Sequence, residues 1–159
     1  LQFLQGNACD LKFGDGLFDT VISLESAFYY NPRKKFFDEA YRVLKPGGKL
    51  LIADIVKRKT SLIGQYLQTV AFNFLNVPLV NSENADEFVQ QLKDVGYDVE
   101  YETISDKTFV PYFEYISNQC CTGNFVWQSF FDNTVQIWKS ICSANLPFDY
   151  VIAVCTKSK

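Results

Sequence analysis

Residues 18–55 of this 159-residue chain read FDTVISLESAFYYNPRKKFFDEAYRVLKPGGKLLIADI. The apolar runs at 20–24 and 49–55 are short and uninterrupted, a pattern typical of parallel strands that are buried on both faces. Between them, apolar residues recur at helical spacing from Pro32 to Leu44. A strand, a helix and a second strand in this order predict a right-handed parallel crossover, and the fold class is therefore α/β.

Specific residues mark the two ends of the predicted helix. Asn31 is a favourable N-cap, and Pro32 suits the first turn because the fixed φ of proline fits a helix. After the helix, Lys45 complements the negative C-terminal end and Pro46 cannot continue it. The second strand must therefore begin within a few residues of the helix.

The same signals predict the remaining elements. A second helix is expected at 61–75, and a third ends at Gly96 and is capped by Asn81 or Ser82. Further strands are expected at 1–5, 97–104 and 148–156. We expect one domain, 1–159, with helical insertions at 57–80 and 105–147.

Composition excludes several classes of protein. Hydrophobic residues make up 48% and charged residues 21% of the chain, which is typical of a globular domain and not of a disordered tail or a coiled coil. Histidine is absent, so this chain alone cannot form a Ser-His-Asp triad, a Cys-His pair or a His-ligated zinc site. The five cysteines form no CxxC pair, so no metal site is predicted and the thiols suit a reducing compartment.

Charge and hydropathy predict the compartment of the protein and argue against nucleic acid and a membrane span. The net charge is −3, and the two basic clusters, 33–35 and 57–59, are short and typical of solvated faces. Nucleic acid is therefore not an expected partner. No apolar run approaches the roughly 20 residues that cross a bilayer, and no signal peptide opens the chain, so we expect a cytoplasmic protein without a membrane span.

Candidate site residues follow the two strands of the central unit. Ligands of open α/β sheets bind beyond the carboxyl ends of the strands. The first strand ends at Leu24 and is followed by Glu25, Tyr29 and Tyr30, and the second strand ends at Asp54. If the strands are neighbours about 4.8 Å apart, Glu25 and Asp54 converge on one crevice. The alternative is that each acid only caps the segment after it.

Three stretches, Gly6–Phe13, Phe18–Ser23 and Tyr41–Asp54, carry a resemblance to a known family. In this order and spacing they resemble the second half of class I S-adenosylmethionine-dependent methyltransferases. The most similar group methylates small molecules such as sterols, tocopherols, phosphoethanolamine and natural products. The resemblance implies a Rossmann-like sheet, mostly parallel with an antiparallel last strand, S-adenosylmethionine as cofactor and a small-molecule methyl acceptor as partner.

The family's first two strands, with the glycine-rich loop and the ribose-binding acid, have no counterpart in this sequence, and the chain contains no methionine. We therefore expect a truncated domain, the carboxyl-terminal part of a longer enzyme. Phe3 would belong to a strand that has no neighbour. Such a sheet would expose apolar surface, which predicts self-association of the isolated chain.

At matching positions the resemblance implies cofactor contacts. Asn7 would accept a hydrogen bond from the adenine amino group, and Ala8 would offer its backbone N–H to the adenine ring. Leu24 and Glu25 would line the methionine portion and the methyl-transfer channel. These are the four expected cofactor-binding residues.

Catalysis is predicted for Asp54, Glu25 and Tyr29. Methyl transfer depends mainly on alignment, so one acid that orients or deprotonates an acceptor hydroxyl or amine is sufficient. Tyr29 or Tyr30 would shape the channel, and Tyr29 stands near the position where natural-product relatives often carry a histidine.

Two other functions are compatible with the residues. One is a truncated, non-catalytic module that pairs with another chain, and an upstream glycine-rich loop would favour the enzyme over it. The other is a different doubly wound nucleotide-binding domain such as a dehydrogenase, which the run from Arg42 to Gly48 disfavours.

Overall fold

The computed structural model describes residues 2–108, 111, 115 and 148–158. Its strands are β1 (Phe18–Leu24), β2 (Leu44–Lys57), β3 (Tyr97–Thr103) and β4 (Phe148–Lys157). Its helices are α1 (Arg33–Val43), α2 (Leu62–Phe74) and α3 (Ala85–Val95). Two short 3₁₀ turns lie at Ala27–Tyr29 and Leu79–Asn81.

The sheet has four strands in the spatial order β1-β2-β4-β3. β1 and β2 are parallel, and Val21 lies opposite Leu50. β4 lies between β2 and β3 and is antiparallel to both. The predicted α/β fold, with parallel strands joined through a helix and an antiparallel last strand, is therefore confirmed.

The core lies between one face of the sheet and the layer formed by α1 and α3. Phe37 of α1 and Phe88 of α3 meet edge to face with ring centroids 5.5 Å apart. Alternate residues of β2 point into this layer and are buried together with residues of β4; they are Leu50, Ile52, Val56, Val151 and Ala153. The period of two along β2 places Asp54 on this same covered face.

The opposite face of the sheet is only partly covered. Ile22 and Leu24 of β1 are 71% and 67% exposed, and Ile152 of β4 is exposed as well. The prediction that 20–24 is buried on both faces is therefore wrong. In the described part of the chain β1 is an edge strand, and only the helical layer covers it.

Two predicted helix-end contacts of α1 are wrong, because distant residues make them instead. The N-cap position is Pro32, and the first helical N–H, that of Arg33, donates to Oδ1 of Asn81 at 2.9 Å. At the other end Lys45 pairs with Asp19. The C-terminal carbonyls of α1 instead receive hydrogen bonds from Lys157.

The start of α3 also differs from the prediction. Neither Asn81 nor Ser82 caps it; Asn84 does, in a capping box with Glu87. The reason is that Asn81 is buried and already serves α1. The predicted end of α3 is confirmed, because Gly96 follows the helix in the left-handed conformation at φ 113°.

Residues 2–6 form no strand, so the strand predicted at 1–5 is wrong. A strand needs a neighbour, and the described residues offer none beside this segment. The helix predicted at 61–75 is confirmed as α2, within the proposed insertion 57–80. The insertion predicted at 105–147 lies largely outside the described residues. Among the helices that the structure describes, none combines the length and the apolar character needed to span a membrane.

Candidate functional site

Glu25 lies immediately after β1, at the carboxyl edge of the sheet. Its backbone N–H donates to the carbonyl of Ala53 at 2.9 Å, so the β1–β2 ladder extends one residue beyond β1. Its φ is 46°, a left-handed conformation that is uncommon for a non-glycine residue and that concentrates at functional sites. The sharp turn is needed because the chain enters the 3₁₀ turn Ala27–Tyr29 two residues later.

The Glu25 carboxylate is held by a tyrosine from a distant strand. The hydroxyl of Tyr150 donates to Glu25 Oε1 at 2.7 Å. Tyr150 lies on β4 opposite Ile55, so the bond crosses the end of β2. Burial, together with the hydrogen bond to the negative Glu25 carboxylate, raises the pKa of Tyr150 well above its usual value. Tyr150 therefore remains a donor throughout the physiological range.

Sequence reasoning missed Tyr150. The two bonded residues are 125 positions apart, and no local pattern marks the tyrosine as a site residue. The available signal was the prediction of a last strand at 148–156. That signal identifies Tyr150 only once β4 is known to lie beside β2.

Asp54 lies within a buried ionic cluster. Its Oδ2 accepts from Arg33 Nη1 at 3.1 Å, and its Oδ1 accepts the N–H of Ile55 at 3.1 Å. Arg33 also donates to Glu83 at 2.7 Å and lies over the ring of Phe88. The side chains of both Asp54 and Arg33 are 0% exposed.

One guanidinium therefore faces two carboxylates in this cluster. Burial raises the pKa of Asp54 to about 6, although Arg33 acts in the opposite direction. The sequence predicts Arg33 to be part of a solvated basic face, 33–35, and that prediction is wrong for this residue. It is buried because its acidic partners lie on β2 and on the segment before α3, which meet it only in the folded chain.

The structure brings Glu25 and Asp54 to the same edge of the sheet but gives them different partners. Asp54 points into the helical layer, whereas Ile55 and the Tyr150 opposite it belong to the other face. The Glu25 charge contributes to the raised pKa of Asp54, although no hydrogen bond joins the two carboxylates.

The aromatic residues after Glu25 have different surroundings. Tyr29 is half exposed and its ring lies against that of Phe28 at 4.1 Å between centroids. Tyr30 packs edge to face on Phe36 and lies partly buried against the core. Tyr29 is therefore the more accessible residue of this pair.

Asn7 and Ala8 lie beside an open cleft of about 270 Å³ that is formed by residues 4–8 and 10–13. The Asn7 side-chain oxygen accepts the N–H of Cys9 at 2.9 Å, which fixes the loop. An amide oxygen has two lone pairs, so it retains the capacity for a second hydrogen bond.

The loop is attached along α1. Cys9 Sγ donates to the carbonyl of Pro32 at the start of the helix, and Arg42 near its end donates to the carbonyls of Leu11 and Phe13. The chain from Cys9 to Phe13 thus follows α1 from its first turn to its last. Asn7 and Ala8 consequently lie near the start of α1, the end at which the chain enters the helix after Glu25.

Comparisons with known proteins identify proteins that are similar to this chain. Residues 1–52 match the family model described as a methyltransferase domain. The erythromycin 3''-O-methyltransferase of Saccharopolyspora erythraea is 36% identical over 133 residues, which cover 72% of this chain and 40% of that protein. The ubiquinone/menaquinone biosynthesis C-methyltransferase UbiE of Marinomonas sp. is 28% identical over 127 residues, covering 79% of this chain and 51% of that protein.

A solved structure shows the same fold. Phosphoethanolamine N-methyltransferase 2 of Haemonchus contortus, in complex with S-adenosyl-L-methionine, superposes with a TM-score of 0.74 at 22% identity. The match covers 96% of this chain and 36% of that structure. The predicted resemblance is therefore confirmed in sequence and in fold, and the chain spans about half or less of each of these relatives.

Proposed function

Since the chain shares its sequence motifs and its fold with class I S-adenosylmethionine-dependent methyltransferases, we propose that it takes part in methyl transfer from S-adenosylmethionine to a small-molecule acceptor. The observation that supports this most directly is the carboxylate of Glu25. It stands at the carboxyl edge of a parallel strand pair, on a left-handed backbone and held by a hydrogen bond.

The residues present fit the cofactor. The cleft beside Asn7 and Ala8 is open, partly apolar and bordered by an amide group and a backbone N–H, which suits an adenine ring. Glu25 supplies a negative charge that suits the cationic methionine portion, and Leu24 offers an exposed apolar side chain beside it. S-adenosylmethionine, when bound, supplies a methyl group that is already activated on a sulfonium.

The protein's own task is then mainly to align the acceptor. We assign contact with the acceptor to Tyr29, which is half exposed, and contact with the methionine portion of the cofactor to Glu25, which is exposed. Asp54 is completely buried against Arg33, so we assign it an indirect role. In this role Asp54 holds Arg33 in place and thereby supports the part of the site that binds the acceptor. Asp54→Ala should lower turnover more than cofactor affinity, and unchanged turnover would reject any role for Asp54.

Calorimetric titration of S-adenosylhomocysteine tests the proposal. Because the chain spans about half or less of its relatives, we propose that it is part of a longer enzyme, and the titrations use that enzyme, called the full-length protein. We expect binding by the full-length protein and a loss of about tenfold in affinity for Glu25→Gln, because a charged hydrogen bond or ion contact is worth this much. Glu100→Gln, which changes an exposed acid on β3, is the matched control and should bind as the wild type does. Absence of binding by the full-length protein would contradict the proposal.

The acceptor is tested separately. Methyl transfer from labelled S-adenosylmethionine is measured with a sugar hydroxyl, a quinol and phosphoethanolamine as acceptors, the three acceptor types that the names of the relatives suggest. We expect incorporation with one class, and Tyr29→Ala should then change the KM for that acceptor more than the affinity for S-adenosylhomocysteine.

A further inference from the structure

Tyr150 is the best-anchored polar group at the carboxyl edge of the sheet. Its backbone carbonyl accepts the N–H of Ile104 at 2.8 Å, and its backbone N–H donates to Oγ of Ser105 at 3.0 Å. Ser105 in turn donates to Asp149. The tyrosine ring is buried, and its hydroxyl is the part that reaches Glu25.

Glu25, in contrast, is exposed, and an exposed glutamate ordinarily samples several rotamers. Here two contacts restrict it: the backbone bond to Ala53 and the side-chain bond from Tyr150. Only Oε1 is engaged; among the described residues, Oε2 has no partner. The carboxylate is thus fixed by one oxygen and presents the other.

We infer that Tyr150 is a positioning residue that holds the Glu25 carboxylate with Oε2 directed to a cationic ligand group at the carboxyl edge. This inference rests on the proposed function, in which that ligand group belongs to the methionine portion of the cofactor. A rigid supporting group that fixes a functional carboxylate reduces the entropy lost when the ligand binds. Tyr150 acts through Glu25 and does not touch the ligand itself.

A double-mutant cycle on ligand affinity tests the inference. The full-length protein and its Tyr150→Phe, Glu25→Gln and doubly substituted variants are titrated with S-adenosylhomocysteine. Tyr150→Phe keeps the ring and removes only the hydroxyl, and we expect it to weaken binding by about five- to tenfold. The double variant should bind no more weakly than Glu25→Gln alone, because the hydroxyl acts only through the carboxylate.

Tyr97→Phe is the matched control. It also removes a buried tyrosine hydroxyl, one that donates to Phe37 O in the helical layer, and it should leave the affinity unchanged. Thermal unfolding of each variant is recorded alongside. The cycle compares the effect of Tyr150→Phe on affinity in the wild-type and Glu25→Gln backgrounds, so a loss of folded protein that is equal in both does not enter the coupling between the two residues.

The outcomes separate this inference from the proposed function. Wild-type affinity in Tyr150→Phe, or losses that add in the double variant, overturns the inference while leaving the proposed function intact. Wild-type affinity in Glu25→Gln overturns the inference together with the assignment of Glu25. Absence of binding by the wild-type protein overturns the proposed function and the inference with it.

Discussion

The side-chain oxygen of Asn81 accepts the backbone N–H of Arg33 at 2.9 Å, across 48 positions of the chain. The amide nitrogen of Asn81 donates to the carbonyls of Phe28 and Tyr30. One buried amide therefore caps α1 and fastens the segment that leads from Glu25 into this helix. The same amide ties that segment to the turn that follows α2.

Asn81→Ala should destabilise the protein strongly. The substitution removes the partner of three backbone groups, two of them in buried hydrogen bonds, and we expect the free energy of unfolding to fall by about 2–4 kcal/mol. Urea unfolding of the full-length protein measures it. Ser82→Ala, at the neighbouring position that sequence reasoning considered as a cap, should change stability by less than about 0.5 kcal/mol. Equal effects of the two substitutions would contradict this account.

Arg33→Met should cost about 3–5 kcal/mol of stability, because it leaves the buried carboxylate of Asp54 without its charge partner. Arg58→Met is the comparison, since Arg58 pairs with Asp149 nearer the surface and should contribute about 1 kcal/mol or less. Adding Asp54→Leu to Arg33→Met should recover part of the loss. A double variant as unstable as the single one would show that the unpaired charge is not the cause.

The buried acid also predicts a pH dependence of stability. Burial raises the pKa of Asp54 to about 6 in the folded protein, whereas the unfolded chain titrates near pH 4. Between these values the folded state binds the extra proton, so this group's contribution to stability is present below about pH 4 and is lost as the pH rises through 6. Two pKa units correspond to roughly 3 kcal/mol.

Asp54→Asn removes this titration. The free energy of unfolding of the variant, relative to the wild type, should therefore rise by about 2 kcal/mol between pH 4.5 and pH 7. Denaturant unfolding at both pH values measures the difference, and Asp98→Asn, an exposed acid on β3, controls for the loss of one negative charge. A difference that is constant with pH would show that Asp54 does not titrate in this range.

Gly96→Ala tests the turn between α3 and β3. At φ 113° an alanine is strained, and its Cβ would lie 3.2 Å from the hydroxyl of Tyr41. We expect a loss of about 1–2 kcal/mol in thermal or urea unfolding. Gly14→Ala, where a Cβ meets nothing within 4 Å and φ is not left-handed, should be nearly neutral. A neutral Gly96→Ala would mean that the turn can rearrange.

The partly covered face of the sheet, as the described residues show it, predicts self-association of the 159-residue chain. Ile22 and Leu24 lie side by side on the edge strand and are largely exposed. Sedimentation velocity should show oligomers that the Ile22→Ser, Leu24→Ser double variant reduces, because apolar contact area is lost. Leu62→Ser with Ile63→Ser, on the exposed surface of α2, is the matched control. A wild-type chain that stays monomeric at high concentration would refute the prediction.

Most of the regular elements could be predicted from the sequence because each depends on a local pattern, whereas the strand predicted at 1–5 is wrong because the described residues offer it no neighbour. The period of α1 and the left-handed Gly96 after α3 are both local, and both are found in the structure. The capping contacts of α1 could not be predicted, since Asn81 and Lys157 reach it from distant parts of the chain.

The candidate site, too, could be predicted from the sequence only in part. Glu25 and Asp54 could be placed at the carboxyl edge because they end predicted strands. Their separate environments depend on which partner the fold brings to each, Tyr150 from β4 for one and Arg33 from α1 for the other. Neither partner is marked by spacing or composition, and Arg33 even resembled a surface residue.

The strand order β1-β2-β4-β3 constrains the timing of assembly during synthesis. In the described part of the chain, β3 pairs only with β4, which the ribosome makes dozens of residues later. At about 5–20 residues per second, β3 is made several seconds before its partner β4. The strand order therefore allows β1 and β2 to pair before β4 exists, whereas the bond from Tyr150 to Glu25 can form only after β4 has been made.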